Sequence, residues 1–437
     1  MSTNVLLIGG GGREHAIAWK LRQSPRLGEL IVAPGNAGIA QIAKCVALPV
    51  PSAHASDVDI SEYGAAVIAL ARSRKIDLVV VAPDDPLAFG LVDVLEAAGI
   101  SAFGPSKAAA QIEGSKAFAK DLMRRHDIPM GEVARFDNFE AARAYVESRP
   151  REVVVKADGL AVGKGTVVPA SRDEAIAVLR SMLVDGEMGA AGRSVVVEDM
   201  LAGRETSAMA FSDGKTVAHM PFSCDHKPAF DGNIGPNTGG MGVYSPPAWL
   251  EESIAETIRR DVTEAAVRAM AAEGMPFKGI LYPGIFVTSD GPRVIEFNAR
   301  FGDPEAEALL PRLESDLLEI MLAVVNGTLD RVDVRWSDDA SVTVMLASRG
   351  YPGSYERGLP ISGLDDVDGD IVVFHAGTMR DASGGFVTNG GRVLAVTATA
   401  PAMAAAREKV YRNIERIHFD GMHYRTDIGA SEVAVHV

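Results

Sequence analysis

The sequence predicts a multidomain protein that joins an N-terminal α/β domain to α+β parts further along the chain. Its 437 residues exceed what one hydrophobic core usually organises, so roughly two to four domains are expected. The first hundred residues alternate apolar runs with helical segments, which is typical of a parallel sheet covered by helices. Strand-like runs such as SVTVMLASRG and GGRVLAVTAT predict a small β-rich domain at the C-terminal end.

The N-terminal elements follow one another in the order strand, helix, strand, helix, strand. Their predicted bounds are Val5–Ile8, Glu14–Gln23, Glu29–Ala33, Tyr63–Arg74 and Asp77–Asp85. In a parallel sheet the binding crevice lies at the carboxyl ends of the strands. The polar or glycine-rich segments GGGG, PGN and PDD all stand at such ends. This edge is therefore the expected ligand site of the first domain.

The first of these segments, GGGGREHA, favours a phosphate cradle over a dinucleotide site. The dinucleotide fingerprint needs a third glycine or alanine, where this chain has Glu14 or His15. It also needs a carboxylate after the second strand, where Ala33 and Pro34 stand. Backbone N–H groups at the start of a helix can still hold another phosphate. A tight turn without a ligand is the alternative.

The middle of the chain divides into a framework and a lid. A lysine- and alanine-rich helical stretch leads into a compact segment that contains the strand–turn–strand pattern EVVVKADGLAVGKGTVV. The run VVVEDML then predicts a strand that enters a hinge. We expect an N-terminal domain at 1–105, a central domain at 106–126 and 193–326, a lid at 127–192 and a C-terminal domain at 327–437.

Two lysines of the lid are candidates for binding a triphosphate. Lys156 ends a strand, and Lys164 stands in a turn with Gly159, Gly163 and Gly165. Glycines let the backbone approach phosphates closely, while lysines supply point charges. The turn is not a Walker A loop, because Gly165 follows Lys164 where serine or threonine is required. A surface hairpin with solvated lysines is the alternative.

The stretch VIEFNARFGDPE carries a candidate magnesium site. On a strand, Glu296 and Asn298 share one face, and both offer the oxygen ligands that Mg²⁺ prefers. Arg300 follows, placed to fork onto a carboxylate or a phosphate. A half-exposed strand with polar residues in water would show the same alternation. On this stretch alone both interpretations stay open.

A long loop between Cys224 and Gly242 has the composition of a substrate clamp. It is rich in glycine and asparagine, and it opens with Asp225, His226 and Lys227. Adjacent side chains point apart, so Cys224 does not form a nucleophilic triad with its neighbours. We expect this cysteine to act as a small buried hydrophobe.

Composition limits the classes of partner. The net charge of −15 disfavours binding to nucleic acid or to anionic membranes, both of which need a basic face. The two cysteines are too few for a zinc cluster or a disulfide framework, and they suggest a reducing compartment. No apolar run reaches membrane-spanning length. We therefore expect a cytoplasmic protein with no nucleic-acid or membrane partner.

Taken together, the motifs resemble those of the phosphoribosylamine–glycine ligase (glycinamide ribonucleotide synthetase) family of the ATP-grasp superfamily. The resemblance runs in order through GGGGREHA, PGNAG, GSKAFAK, VVKADGLAVGKG, GPNTGGMGVYSP, EFNARFGDPE, FHAGT and YRTDIG. It implies a pre-ATP-grasp α/β domain, an ATP-grasp core with a mobile lid, and a small C-terminal β-rich domain.

The resemblance also implies the chemistry. The family ligates glycine to 5-phosphoribosylamine through glycyl phosphate in purine biosynthesis, and it uses ATP with Mg²⁺ or Mn²⁺. Two alternatives stay open: another ATP-grasp ligase or carboxylase with a different acid or amine, and a non-catalytic nucleotide-binding sensor. The expected assembly is a monomer or a homodimer.

The implied ATP site lies between the lid and the central domain. In it Lys116 and Lys156 reach phosphates under the 159–165 loop, Glu198 and Leu201 hold adenine, and Glu205 holds the ribose. Its full set is Lys116, Lys156, Gly159, Gly163, Lys164, Gly165, Glu198, Leu201 and Glu205. By the same resemblance Glu296 and Asn298 bind the metal ion.

The implied substrate site combines the N-terminal loop with the clamp. Arg300 pairs with the carboxylate of glycine, Asp225 holds glycine or the incoming amine, and the loop with Asn36 takes the phosphate and ribose. Its full set is Gly10, Gly11, Gly12, Arg13, Glu14, Asn36, Asp225, Lys227 and Arg300. Arg300, Asp225 and Lys156 are the expected catalytic residues.

The chain departs from the family pattern in three places. Asp84 stands where the family more often has a glutamate, and Asn233 with Ile234 replaces an acidic or threonine pair. The strand GILYPGIFV offers no second metal-binding carboxylate. We assign no role to the first two sites, and we expect one metal ion to be held with more water than protein.

Overall fold

The computed structural model describes residues 2–51, 55–158 and 165–433. As the sequence predicts, the first unit is a sheet of five parallel strands in the order β3-β2-β1-β4-β5. The strands are β1 (Thr3–Gly9), β2 (Leu27–Pro34), β3 (Lys44–Cys45), β4 (Leu78–Val81) and β5 (Ala102–Phe103). The helices are α1 (Gly12–Leu21), α2 (Asp57–Ser73), α3 (Asp84–Phe89) and α4 (Leu91–Ala97), and α5 (Lys107–Gly114) and α6 (Lys116–Arg125) lead out of the unit.

The central strands of this sheet are the continuous apolar runs of the sequence. Every residue of β4 is buried, as an apolar strand between two helical layers should be. The bounds of all five predicted N-terminal elements differ from those in the structure, and the last two elements differ most. Helix α2 begins at Asp57 because the Ser56 hydroxyl caps it, accepting a hydrogen bond of 3.2 Å from the Asp59 N–H. The predicted strand Asp77–Asp85 ends early, because α3 begins at Asp84.

The glycines of the N-terminal loop are required by close packing. A Cβ on Gly10 would stand 2.5 Å from the carbonyl oxygen of Gly35, and one on Gly12 would overlap the carboxylate of Glu307. A side chain at Gly10 would force the backbone apart, and one at Gly12 would displace the buried Glu307 carboxylate. Packing therefore accounts for at least two of the four glycines without a ligand.

The lid is a four-stranded antiparallel sheet with a core of its own. Its elements are β6 (Val133–Phe136), α7 (Phe139–Ser148), β7 (Val153–Ala157), β8 (Thr166–Val167), α8 (Arg172–Leu183) and β9 (Val195–Asp199). The turn between β7 and β8, residues 159–164, lies outside the described residues. Strand β9 pairs with both β6 and β7, so the lid sheet extends to Asp199 and the predicted boundary at residue 192 is too early.

The central framework is built on a second antiparallel sheet, in the order β10-β17-β11-β12 with β18 against β17. The strands of this segment are β10 (Arg204–Ser207), β11 (Ala210–Asp213), β12 (Val217–His219), β13 (Cys224–Asp225), β14 (Pro228–Phe230), β15 (Ile234–Asn237), β16 (Gly242–Ser245), β17 (Lys278–Thr288) and β18 (Gly291–Asn298). Its helices are α9 (Glu252–Ile258), α10 (Ala265–Ala272), α11 (Glu305–Leu309) and α12 (Leu317–Asn326).

The C-terminal sheet takes two of its strands from the central segment. Its order is β13-β16-β19-β23-β20, and β16 pairs antiparallel with β19. The predicted boundary at residue 327 therefore divides the strands of a single sheet. The C-terminal elements are β19 (Ala340–Ala347), β20 (Val372–His375), β21 (Thr378–Arg380), β22 (Phe386–Thr388), β23 (Arg392–Ala400), α13 (Met403–Ile414) and α14 (Ala430–Val433).

The helices are short. The longest α-helical element in the described part of the chain, α2, has 17 residues and a length of about 25 Å. A π-helical segment, Arg259–Glu264, joins α9 to α10 without a break. Within residues 2–51, 55–158 and 165–433, no helix combines the length and apolarity needed to cross a membrane.

One carboxyl group of the framework is buried without a hydrogen-bond partner. Glu307 in α11 has no exposed surface, and neither carboxylate oxygen accepts a hydrogen bond from the described residues. Burial and the nearby charge of Asp303 raise the pKa of this carboxyl well above its ordinary value. The folded protein therefore favours the protonated form.

We expect Glu307→Gln to stabilise the protein more strongly at pH 8 than at pH 5. A raised carboxyl pKa means that the folded state binds the extra proton, so stability falls as pH rises above the unfolded pKa of about 4.3. An amide escapes this loss, and the gain should exceed the roughly 0.5 kcal/mol of an ordinary surface substitution. Urea unfolding at both pH values measures it.

The matched control is Glu319→Gln, on the exposed side of α12. It should show no pH-dependent gain. A Glu307→Gln variant whose stability follows that of the unaltered protein at both pH values would contradict the prediction.

Candidate functional site

A cavity of about 950 Å³ lies where the lid, the central sheet and β13 meet. Its described lining runs from Asp84 to Ser431 in the sequence, so the fold brings distant segments together. The predicted site residues that line it are Lys116, Lys156, Gly165, Glu198, Leu201, Glu205, Asp225, Lys227, Glu296, Asn298 and Arg300. Gly159, Gly163 and Lys164 lie outside the described residues.

At the lid side of the cavity, one buried carboxylate lies between two lysines. Glu198 on β9 lies 3.0 Å from the ammonium of Lys156 and 3.1 Å from that of Lys120. Burial alone would raise the pKa of Glu198, but the two cations bring it below its ordinary value, so the carboxyl is ionised. Sequence reasoning missed Lys120. The sequence feature that could have revealed it is its place in α6, on the face that also buries Ala119 and Met123.

A second ion pair crosses the floor of the cavity. The ammonium of Lys227 lies 2.7 Å from Glu205 Oε1 and 3.9 Å from Glu296 Oε1. Burial by itself raises the pKa of Glu296, but the surrounding cations, Lys227 foremost, lower it to about 2. Glu296 is therefore a carboxylate at neutral pH, in a site where positive charge is already gathered.

Glu296 and Asn298 offer oxygen atoms suited to a divalent cation. Both belong to β18, two residues apart, and both line the cavity. The Asn298 amide oxygen accepts a hydrogen bond of 3.3 Å from Arg300, and it keeps a second lone pair. No group of three or more His, Cys, Asp or Glu side chains within the described ranges is arranged to hold a metal. The pair fits a hard cation that completes its shell with water and phosphate oxygens.

Arg300 is held by a carboxylate that the sequence did not reveal. Its guanidinium lies 3.0 Å from one carboxylate oxygen of Glu113 in α5. The other carboxylate oxygen of Glu113 accepts a hydrogen bond of 2.8 Å from the Ala299 N–H. Burial lowers the pKa of Arg300, but Glu113 and Asp84 outweigh it and raise the pKa above its ordinary value. The buried Nε donates to none of the described groups. An N–H donor of Arg300 is thus left without a partner among the described residues.

Asp225 stands in a group of acidic side chains. Burial and the nearby charge of Glu305 raise the pKa of the Asp225 carboxyl well above its ordinary value. Glu305 also accepts a short hydrogen bond from the Tyr282 hydroxyl, which lies 2.9 Å from Ser207 Oγ. The raised pKa of Asp225 means that its carboxyl favours the protonated form or a bound cationic amine. Glu305 and Tyr282 were not predicted as site residues, although Glu305 ends the motif EFNARFGDPE.

Cys224 adjoins this group as a buried residue, as expected. Its thiol is 5% exposed, and burial raises the pKa to about 12. A thiol that stays protonated at neutral pH is a poor nucleophile.

The N-terminal loop stands behind the cavity. None of Gly10, Gly11, Gly12, Arg13, Glu14 and Asn36 is among the described residues that line it. The Gly11 N–H donates a hydrogen bond of 2.6 Å to the Glu14 carboxylate. The Asn36 side-chain amide donates one of 2.9 Å to the Gly10 carbonyl and one of 2.7 Å to the His375 carbonyl. The bond to His375 ties the loop to the C-terminal domain. The loop as a phosphate site stays a prediction.

The chain matches family models over most of its length. The phosphoribosylglycinamide synthetase N domain matches residues 3–113, the ATP-grasp (A) domain 114–306 and the C domain 341–431. The chain is 46% identical over 432 residues to a phosphoribosylamine–glycine ligase of Halalkalibacterium halodurans, covering 99% of this chain and 97% of that relative. It is 47% identical to one of Agrobacterium fabrum, covering 98% and 99%.

Solved structures agree with these matches. A phosphoribosylamine–glycine ligase from Thermotoga maritima superposes with a TM-score of 0.84 at 30% identity, covering 98% of this chain and 100% of that one. A biotin carboxylase from Campylobacter jejuni, at 15% identity and a TM-score of 0.75, covers 99% and 95% and shares the fold alone. The chain belongs to the phosphoribosylglycinamide synthetase family.

Proposed function

We propose that the protein is an ATP-dependent ligase that joins glycine to 5-phosphoribosylamine and releases glycinamide ribonucleotide, ADP and phosphate. The observation that carries this proposal is one cavity in which buried lysines, a carboxylate–amide pair and a half-buried arginine meet. Such a site can neutralise a triphosphate and orient a small carboxylate at the same time. The family's relatives bear the name of this activity.

The nucleotide is assigned to the part of the cavity between β7, β9 and β18. Lys116 and Lys156 would contact phosphates, Glu198 and Leu201 the base, and Glu205 the ribose hydroxyls. The glycine-rich turn with Gly159, Gly163, Lys164 and Gly165 would cover the phosphates and exclude water. Glu296 and Asn298 would hold Mg²⁺ or Mn²⁺, which when bound neutralises charge on the phosphates.

In the reaction, a carboxylate oxygen of glycine attacks the γ-phosphorus, and the bond to ADP breaks. The nitrogen of phosphoribosylamine then attacks the acyl carbon of glycyl phosphate, forming the amide as phosphate leaves and the amine loses a proton. Arg300 would orient the glycine carboxylate through its free N–H donor. Asp225 and Glu305 would hold the ammonium of glycine or accept the proton.

The acceptor amine is assigned to the side of the cavity that borders Asp303 and the N-terminal loop. We propose that Gly10, Gly11, Gly12, Arg13, Glu14 and Asn36 form the wall against which its phosphate and ribose lie. We also propose a cytoplasmic monomer or homodimer that acts on small molecules alone.

ADP release tests the proposed activity. The protein, ATP, Mg²⁺, glycine and freshly generated phosphoribosylamine should release ADP steadily, and omission of glycine or of the amine should stop turnover, because each supplies one reacting atom. Bicarbonate and formate replace glycine in parallel assays. ADP release with bicarbonate but not glycine would contradict the proposal in favour of a carboxylase. ATP binding with no release under any condition would favour a sensor.

Arg300→Lys tests the glycine site. Lysine keeps the charge but loses the planar fork, so KM for glycine should rise about tenfold or more, while KM for ATP changes little. Steady-state kinetics with each substrate varied in turn measures the two KM values separately. Arg293→Lys, on β18 but not among the described residues that line the cavity, is the matched control and should leave both constants unchanged. Equal increases in both KM values for Arg300→Lys would contradict the assignment.

A further inference from the structure

The two lysines around Glu198 are held differently. Lys120 uses its full donor capacity: its ammonium donates to Glu198 Oε2 at 3.1 Å and to the carbonyl oxygens of Ile295 at 3.2 Å and Val294 at 3.4 Å. An ammonium has three N–H groups, so no donor is left for a ligand. Lys120 is 4% exposed and is fixed to α6, β9 and β18 at once.

Lys156 is held more loosely. It donates to the Ile295 carbonyl at 3.1 Å, and it lies 3.0 Å from Glu198 Oε1. That oxygen nevertheless accepts no hydrogen bond from the described residues, so the contact with Lys156 is an ion pair without hydrogen-bond alignment. Lys156 therefore keeps at least one N–H group free. It is the lysine of the pair that can turn toward a ligand.

With two cations beside Glu198, one of them can move to a ligand while the other stays with the carboxylate. Glu198 is 5% exposed and ionised, so it needs a cation beside it at all times. If Lys156 were its only partner, movement of Lys156 toward a phosphate would leave a buried charge without compensation. With Lys120 fixed in place, that movement leaves a satisfied Lys120–Glu198 pair behind.

We propose that Lys120 is a positioning residue that holds Glu198 so that Lys156 is released to the phosphates of ATP. This inference rests on the proposed function, because it requires an ATP site in this cavity. Lys120 touches neither ATP nor glycine in this account. Its effect is transmitted through Glu198 and Lys156, and it concerns the phosphate chain rather than the base.

The test compares the affinities for ATP and for adenosine, measured with Mg²⁺ by direct binding or as inhibition constants. Lys120→Met should weaken ATP about tenfold or more while changing adenosine little, because Lys156 then stays with Glu198. The double variant Lys120→Met/Glu198→Gln should regain most of the lost ratio of ATP affinity to adenosine affinity, since the neutral amide no longer retains Lys156. A change in the shape of the base pocket would instead weaken both ligands equally.

Two further variants complete the design. Lys20→Met removes another buried lysine, whose ammonium lies outside the cavity beside the Leu313 carbonyl, and should leave both affinities unchanged. Glu198→Gln alone should not lower the ratio of ATP affinity to adenosine affinity. If Lys120→Met does not fold, this ratio in Glu198→Gln still tests the role of Lys120.

The outcomes separate the two proposals. Unchanged ATP affinity in Lys120→Met, failure of the double variant to recover, or a lowered ratio in Glu198→Gln would each overturn the role of Lys120. Absence of ATP binding by the unaltered protein would instead overturn the proposed function and this inference with it.

Discussion

Charged side chains can leave water only when opposite charges meet them, and this constraint shapes the whole cavity. Three of the cations that the proposed reaction needs are paired with carboxylates from different segments. Arg300 pairs with Glu113, Lys227 with Glu205, and Lys156 with Glu198. The pairs hold the cations in place before any substrate arrives. A ligand with phosphates and carboxylates can then replace or share partners instead of bringing charges out of solution.

The fold supplies these pairs by joining distant segments along one strand. β18 carries Glu296 and Asn298 on one face and leads directly to Arg300. Helix α5 reaches the end of this strand with Glu113, and β13 brings Asp225 to the opposite wall. Because β13 belongs to the C-terminal sheet, that sheet helps to build the cavity. The long clamp loop thereby has a rigid base on both sides.

Much of this arrangement could be predicted from the sequence, for identifiable reasons. The parallel sheet was predictable because apolar runs such as DLVVV are buried on both faces. The motif around Glu296 was predictable because its carboxylate, amide and guanidinium groups stand within a few positions of one another in the sequence. Glu113 and Lys120 were not, because their partners lie 187 and 78 positions away in the sequence. The membership of β16 in the C-terminal sheet was hidden for the same reason: strand pairing over such distances leaves no local pattern.

The N-terminal glycines illustrate the limit most clearly. Their pattern argues against a dinucleotide site on local grounds, and close packing against Gly35 and Glu307 accounts for two of them without a ligand. The central claim concerns the cavity beside them, where a carboxylate is activated by phosphoryl transfer. Glycine labelled with ¹⁸O in its carboxylate tests this claim most directly. The account predicts one labelled oxygen in each phosphate released during ligation, and unlabelled phosphate would contradict it.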